Sequence, residues 1–158
     1  MIRIMICIVK YLLGNRIVGM NKDTRLSGVL HVLLHLDHAK NPLTSTTLAK
    51  TMDTNPAVFR RMMAGLRDAG IVRSDRGPGG GWKLEQPLDK ITLLDVYKAI
   101  GQSEIFCFGL RNDSSDCKVE LAVNDVLSEA MDDAKIILLR QFDEIFLSQI
   151  AKQIDVSA

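Results

Sequence analysis

Apolar residues recur at Leu26, Val29, Leu30, Leu33 and Leu34, a spacing that lines one face of a helix from Thr24 to Leu36. Asp23 or Thr24 stands where a capping side chain would. "DHAKNP" breaks the period, and a shorter helix is expected from about Ser45 to Met52, with Leu48, Ala49 and Met52 inward. In "DTNP", Asn55 is a good capping residue, and Pro56 suits a first helical position, where its missing N–H costs nothing. That third helix runs through "AVFRRMMAGLRDA" with Phe59, Met62, Met63 and Leu66 toward the core, and Gly70 ends it. "IVRS" and "WKLE" then read as two short strands, with Trp82 and Leu84 on one face and Lys83 and Glu85 on the other.

Helix, helix, tight turn, helix and hairpin make a winged helix-turn-helix, whose third helix would lie in a DNA major groove. "ITLLDVYKAIG" adds a helix closed by Gly101. From Cys117 onward there is no Gly or Pro, and Val119, Val123, Val126, Ala130, Ala134, Ile137 and Leu138 fall three or four residues apart opposite acids such as Glu120, Asp125, Glu129 and Asp132. A helix of some 25 residues would be about 37 Å long. A domain of roughly 80 residues cannot cover so long an apolar stripe, so its natural partner is the same helix of a second subunit. The pattern blurs near Phe142 to Leu147, and "FLSQIAKQI" reads as a separate terminal helix.

The expected fold is therefore mainly α with a small β-hairpin wing: a winged helix-turn-helix DNA-binding domain plus a long C-terminal dimerisation helix. Residues 1–19 form an extension outside that fold, 20–101 the DNA-binding domain, 102–116 a sensor or linker loop, and 117–158 the dimerisation and terminal helices. The extension is apolar but short of the roughly 20 uninterrupted residues of a membrane span, because Lys10 breaks it. It also lacks a clear signal-peptide cleavage site.

Charge is informative only once divided. The net charge of +1 conceals +3 over residues 1–19, +4 over 20–85 and −6 over 86–158. A basic front half on an acidic back half suits a polyanion-binding module joined to a part that leaves the polyanion alone. Three cysteines make no disulfide framework, and a reducing cytoplasm is expected.

The most conspicuous local feature is "DRGPGGGWKLE", in which four glycines and a proline fill positions 77 to 81. A phosphate-binding loop would run from its glycines through Lys-Ser/Thr into a helix, and a dinucleotide fingerprint also needs a helix next. Here a strand follows and GK[ST] is missing, so both nucleotide readings fail. A hairpin tip fits: Gly77 and Gly79 would let backbone approach a sugar-phosphate chain, and Arg76 is long enough to enter the minor groove, where the potential is most negative. On the third helix, Arg60 and Arg61 face away from the core and are candidates for base edges, since arginine can donate twice to guanine. Asn55 would stand near the groove wall. Arg67, Lys50 and the run Thr44 to Thr47, with Ser45, are placed for phosphates, which position a protein without reading sequence.

These residues carry a resemblance. "LTSTTLAKTMDTNPAVFRRMMAGLRDAGIVRSDRGPGGGW", then "ITLLDVYKAIG", then "CKVELAVNDVLSEAMDDAKIILL" resemble the Rrf family of bacterial winged-helix transcription regulators, which includes IscR and NsrR. The resemblance spans about Met20 to the C-terminus. It implies a homodimer crossed through the long helix, binding a partly palindromic double-stranded operator, usually as a repressor. It also implies Asn55, Ala57, Arg60 and Arg61 in the major groove and Arg76 in the minor groove; Ala57 comes from the resemblance alone.

The cluster-binding members carry three closely spaced cysteines before the long helix. This chain keeps Cys107 and Cys117 only, nine residues apart by intervening count, which places it in a cluster-cysteine-poor branch. An iron–sulfur cluster takes four protein ligands, commonly thiolates, and only Glu120 or a second subunit could supply the rest. The expectation is no cofactor and no metal, with a small molecule or an oxidant as effector. Cys107 and Cys117 are the sensor candidates: Cys117 through a thiolate favoured near a helix start, Cys107 either as a redox group or as apolar filler between Phe106 and Phe108. His31, His35 and His38 have ligand-like spacing but read as ordinary helix histidines. No Ser/His/Asp order, paired catalytic carboxylates or nucleotide motif points to an enzyme. The rival readings are an iron–sulfur-sensing regulator and a winged-helix protein-interaction module that has lost DNA binding.

Overall fold

The computed structural model describes residues 24–101 and 116–155. The extension over 1–19, the loop over 102–115 and Cys107 within it lie outside the described residues. Among the described residues six α-helices and one hairpin follow in order: α1 Arg25–His38, α2 Ser45–Thr51, α3 Pro56–Asp68, β1 Val72–Asp75, β2 Gly81–Leu84, α4 Leu93–Ala99, α5 Lys118–Glu144 and α6 Leu147–Asp155. A 3-10 turn at Leu88–Lys90 precedes α4. Among the described residues no helix is long and apolar enough to cross a membrane.

Local chemistry explains most of these boundaries. Thr44 caps α2 by accepting from Thr47 N–H at 3.2 Å. Asn55 caps α3, its Oδ1 accepting from Ala57 N–H at 3.0 Å and Val58 N–H at 2.9 Å, with Pro56 just inside the helix. Thr92 and Asp95 close a reciprocal capping box at α4: Thr92 Oγ1 accepts from Asp95 N–H at 3.1 Å, and Asp95 Oδ2 accepts from Thr92 N–H at 2.9 Å. Gly70 takes φ 70° past the end of α3, the left-handed conformation that stops a helix without a Cβ penalty. Thr24 precedes α1 but makes no side-chain cap, and that helix runs on to His38, one half-turn past the expected Leu36.

The core forms where these faces meet. Val29, Val32, Leu33 and Leu36 of α1, Leu48 and Ala49 of α2, and Phe59, Met63 and Leu66 of α3 are buried with Ile71, Val72 and Trp82 from the hairpin. Met52 and Met62 are only half-buried, at the edge of that core. The strands pair antiparallel, Val72 opposite Leu84 and Asp75 opposite Gly81. A bridge that the apolar pattern leaves unmarked extends the hairpin: Leu43 N–H donates to Trp82 C=O at 3.1 Å, and Trp82 N–H donates to Leu43 C=O at 2.8 Å. The wing is thus held by the segment that leads into α2.

The long helix is 27 residues, about 40 Å at 1.5 Å per residue. Its end is stitched to the head by Leu93 N–H to Ile145 C=O and Leu147 N–H to Ile91 C=O, both 2.9 Å. Fully buried Leu147 and half-buried Ile150 and Ala151 bring α6 into the same core. Helix α4 is the intermediary, packing on α5 at one side and on α3 and α1 at the other.

At the α3–α4 contact a Cβ built on Gly65 would collide with the carbonyl oxygen of Ala99. Alanine is intrinsically better in a helix by about 1 kcal/mol. The collision is between backbones and cannot be relieved by a rotamer change, so overpacking at the top of its usual range, about 3 kcal/mol, outweighs that gain. Gly65→Ala should therefore lower stability by about 2 kcal/mol, read as a lower urea midpoint at unchanged slope. A raised midpoint would mean that α3 and α4 can part without cost.

Candidate nucleic-acid interface

Helix α3 presents two sides to solvent. Ala57, Arg60, Arg61, Arg67 and Asp68 are exposed, whereas Phe59, Met63 and Leu66 are buried. At about 100° per residue, Arg60 and Arg67 share one flank and Arg61 lies on the other, with Ala57 between. Arg61 borders an open cleft of about 660 Å³ shared with Arg25, Ser27, Thr51, Thr54 and Val58. The cleft joins the start of α1 and the turn before α3 to α3 itself. That turn contains Asp53 at φ 48°, a left-handed position that aspartate tolerates better than a branched residue does.

Ion pairing separates the basic groups. Arg67 Nη2 lies 3.0 Å from Asp68 Oδ1, Arg73 Nε lies 3.5 Å from Glu85 Oε2, and Lys83 Nζ lies 3.9 Å from Asp75 Oδ2. These pairs are exposed and individually worth little. Within the described residues no acid stands within ion-pairing distance of Lys50, Arg60, Arg61 or Arg76. Their charge faces outward, uncompensated.

The hairpin loop divides into glycines of two kinds. A Cβ at Gly80 would strike the Asp75 carbonyl oxygen, and one at Gly81 would come within 2.7 Å of the Leu43 carbonyl oxygen. Those two glycines serve the hairpin's own closure. Gly77 and Gly79 hold positive φ, 97° and 76°, with nothing within 4 Å of the Cβ position. Their backbone is open to an approaching polymer, next to exposed Arg76.

Some of the candidate contact residues have structural duties as well. Ser45 Oγ accepts a hydrogen bond from Trp82 Nε1–H at 2.9 Å, tying the start of α2 to the wing. Trp82 also meets Phe59 edge-on, with ring centroids 6.1 Å apart, so one side chain joins wing, α2 and α3. Asn55 spends its Oδ1 on the α3 cap, and its amide N–H groups remain as donors. Thr44 Oγ1 likewise accepts from Thr47 N–H and sits 2.9 Å from Thr47 Oγ1. The Ser45–Trp82 bond is long-range, and no local signal in the sequence announces it.

On α5 the apolar stripe lies open. Val119 is 72% exposed, Val126 67% and Ile137 59%; Val123, Ala130 and Ala134 are exposed too, and Leu138 is half-buried. Leu127 widens the stripe beyond its expected members, exposed beside Val123 and Val126. The opposite side of the helix turns inward, burying Asn124 to 9% and half-burying Ser128, Met131, Lys135 and Phe142. Phe142 meets Tyr97 of α4 edge-on at 6.0 Å. The stripe and the inward face are thus distinct.

Cys117 is exposed at the position capping α5. The backbone N–H of Glu120, and then that of Val119, hold its thiol below the ordinary value by stabilising the thiolate, against a small opposing desolvation. Alkylation of the peptide containing Cys117, followed by mass spectrometry across pH, should reach its plateau at lower pH than a cysteine in a short unstructured peptide. Superimposable profiles would remove the helix-start effect. Among the described residues no group of three or more His, Cys, Asp or Glu could hold a metal, and Cys117 with Glu120 falls short of four cluster ligands.

The family model described as Rrf2, iron-dependent transcriptional regulator, matches residues 22–153. YwnA of Bacillus subtilis, provisionally named an HTH-type transcriptional regulator, is 31% identical over 110 residues, covering 70% of this chain and 81% of its own. CymR of the same organism, an HTH-type transcriptional regulator, is 28% identical over 97 residues, covering 60% and 70%. Among solved structures, IscR of T. potens superposes with TM-score 0.61 at 20% identity, covering 90% of each chain. A transcriptional regulator from Lactobacillus plantarum superposes with TM-score 0.71 at 18% identity, covering 85% and 91%. These likenesses agree on a winged-helix fold with a long C-terminal helix, and the family consists of regulators of transcription, not enzymes.

Proposed function

Because the chain belongs to the Rrf2 family of transcriptional regulators, we propose that it binds a partly palindromic operator as a cytoplasmic homodimer and represses transcription from it. The observation that carries this reading is the outward, acid-free set Lys50, Arg60, Arg61 and Arg76 on α2, α3 and the wing. Helix α3 enters the major groove with Arg60 and Arg61 on base edges and Ala57 close to the bases. Asn55 gives its amide N–H groups to the groove wall, and Thr44, Ser45, Lys50 and Arg67 meet phosphates. Arg67 exchanges its exposed Asp68 partner for phosphate at small cost, since such a pair contributes little. Arg76 reaches into the minor groove while Gly77 and Gly79 admit the sugar-phosphate chain.

The dimer forms through Val119, Val123, Val126, Ala130, Ala134, Ile137 and Leu138 of α5, each against the partner's stripe. An oxidant or a small effector acts at the loop over 102–116 and Cys117, and changes the spacing of the two heads. The position of Cys117 at the start of α5, where the backbone N–H groups of Glu120 and Val119 favour its thiolate, supports the oxidant.

Val126→Glu tests the assembly. At 67% exposure in the single chain the glutamate costs a monomer little, whereas a dimer would have to bury it. Sedimentation should show a folded monomer, with operator affinity lowered on the order of 10²-fold or more as bivalency is lost. A variant that stays dimeric would place the interface elsewhere.

A further inference from the structure

Asn55 accepts from the N–H groups of Ala57 and Val58 at the start of α3, which puts Val58 at the third helical position. Behind a capping residue that position suits Glu or Gln, whose side chain returns a hydrogen bond to the cap's own N–H. The chain uses this device at α4, where Asp95 fills the third position behind Thr92. At α3 a β-branched valine stands there instead, a weaker helix former, and the first turn holds no acid. Core filling does not account for it. Val58 is 38% exposed, and among the described residues from 24 to 101 it is the one large apolar side chain left exposed; the others lie at Val119 and beyond. A position that gives up local stabilisation without full burial in return points to a function. Val58 also shares a flank of α3 with Arg61, three residues on, at the cleft that holds half-buried Met52 and Met62.

We infer that Val58 is a specificity-determining residue: in each half-site its γ-methyl groups pack on the C5-methyl of a thymine, the apolar group that a base pair shows in the major groove. This rests on α3 entering the major groove, as proposed above. Repulsion of phosphates would explain the missing acid, but glutamine avoids it equally; an apolar partner accounts for valine. One strongly preferred rotamer at a helical valine fixes those methyls before DNA arrives. Val58 and Arg61 are separated by about 4.5 Å along the helix axis, against about 3.4 Å between stacked bases. For a helix laid along the groove, the thymine therefore lies one or two steps from the guanine read by Arg61.

Deoxyuridine is the probe, replacing one thymine at a time in duplexes that the full wild-type chain selects from a random pool. It removes the C5-methyl and leaves the pairing edge intact. Wild type should lose about fourfold at a single thymine per half-site, the worth of one buried methyl, and on the order of 10-fold when both half-sites are substituted. Val58→Ala raises helix propensity and should fold. It should lose as much on the thymine operator, then bind the thymine and uracil versions alike, with an unchanged salt slope. An undiminished uracil penalty in Val58→Ala, or a wild type indifferent to uracil at every position, would overturn the contact. So would a lowered salt slope, which marks lost phosphates. A selected operator that still depends on Arg61 keeps the DNA reading intact through each of these outcomes; a pool with no common sequence would sink both.

Discussion

Replacing Arg60 and Arg61 together by alanine should reduce operator binding to the non-specific level while leaving the fold intact. A bidentate arginine–guanine contact contributes about 1–3 kcal/mol of discrimination. Two such residues in each of two half-sites command about 4–12 kcal/mol, which spans the whole gap of about 4–10 kcal/mol between specific and non-specific affinity. The expected result is a loss of at least 10³-fold on operator DNA with little change on unrelated duplex. Both side chains are exposed and free of acid partners, so the melting temperature should hold. Arg73→Ala is the internal control: that side chain is engaged with Glu85 on the hairpin, and its loss should change affinity only a few-fold. Retained specificity in the double variant would move base reading off α3.

The largest effect on stability is expected at Trp82. The side chain is buried, stacks edge-on against Phe59 and donates to Ser45, while its backbone bridges Leu43. Removing a buried tryptophan side chain usually costs about 3–5 kcal/mol. Against a typical total of about 5–15 kcal/mol, Trp82→Ala should leave the head marginally folded at 37 °C. Trp82→Phe separates the two causes. It keeps most of the packing and the edge-on ring but leaves Ser45 without its donor, so its loss should be nearer 1–1.5 kcal/mol. Denaturant titration gives both numbers. Operator affinity should fall in Trp82→Ala even at temperatures where the head is folded, because the side chain that ties the wing carrying Arg76 to α2 and α3 is gone. Equal costs for the two variants would reduce Trp82 to a hydrogen-bond donor.

The order of elements was legible because most boundaries have a short-range cause. Asn55-Pro56, Gly70 and Gly101 announce helix ends within four residues of chain, and the 27-residue helix shows itself by a long apolar period without Gly or Pro. The exposed arginines were legible for a related reason: once Phe59, Met63 and Leu66 define the buried side of α3, the charged side follows from helical geometry. What escaped depends on contacts between distant segments. The Ser45–Trp82 bond spans 37 positions, the Leu43–Trp82 bridge a similar distance, and the Gly65–Ala99 approach joins two helices. Periodicity carries no trace of these. The same holds for ion pairing, which sets Arg73 and Lys83 apart from Arg60, Arg61 and Arg76 although all are basic residues in one stretch. The glycine-rich loop is the mixed case: its role as a hairpin tip follows from the strand after it, but the division between Gly80 and Gly81, which close the hairpin, and Gly77 and Gly79, which lie open, needed the backbone itself.

The central claim is a dimer that reads two related half-sites through α3. Selection of bound duplexes from a random-sequence pool, with sequencing of the survivors, tests it with no operator sequence assumed in advance. Enrichment of an inverted repeat, its half-site centres about one helical turn or a small multiple apart and guanines at the positions lost in the Arg60→Ala and Arg61→Ala variants, is the predicted result. A pool that gains no common sequence, or gains only a single asymmetric site, would contradict it.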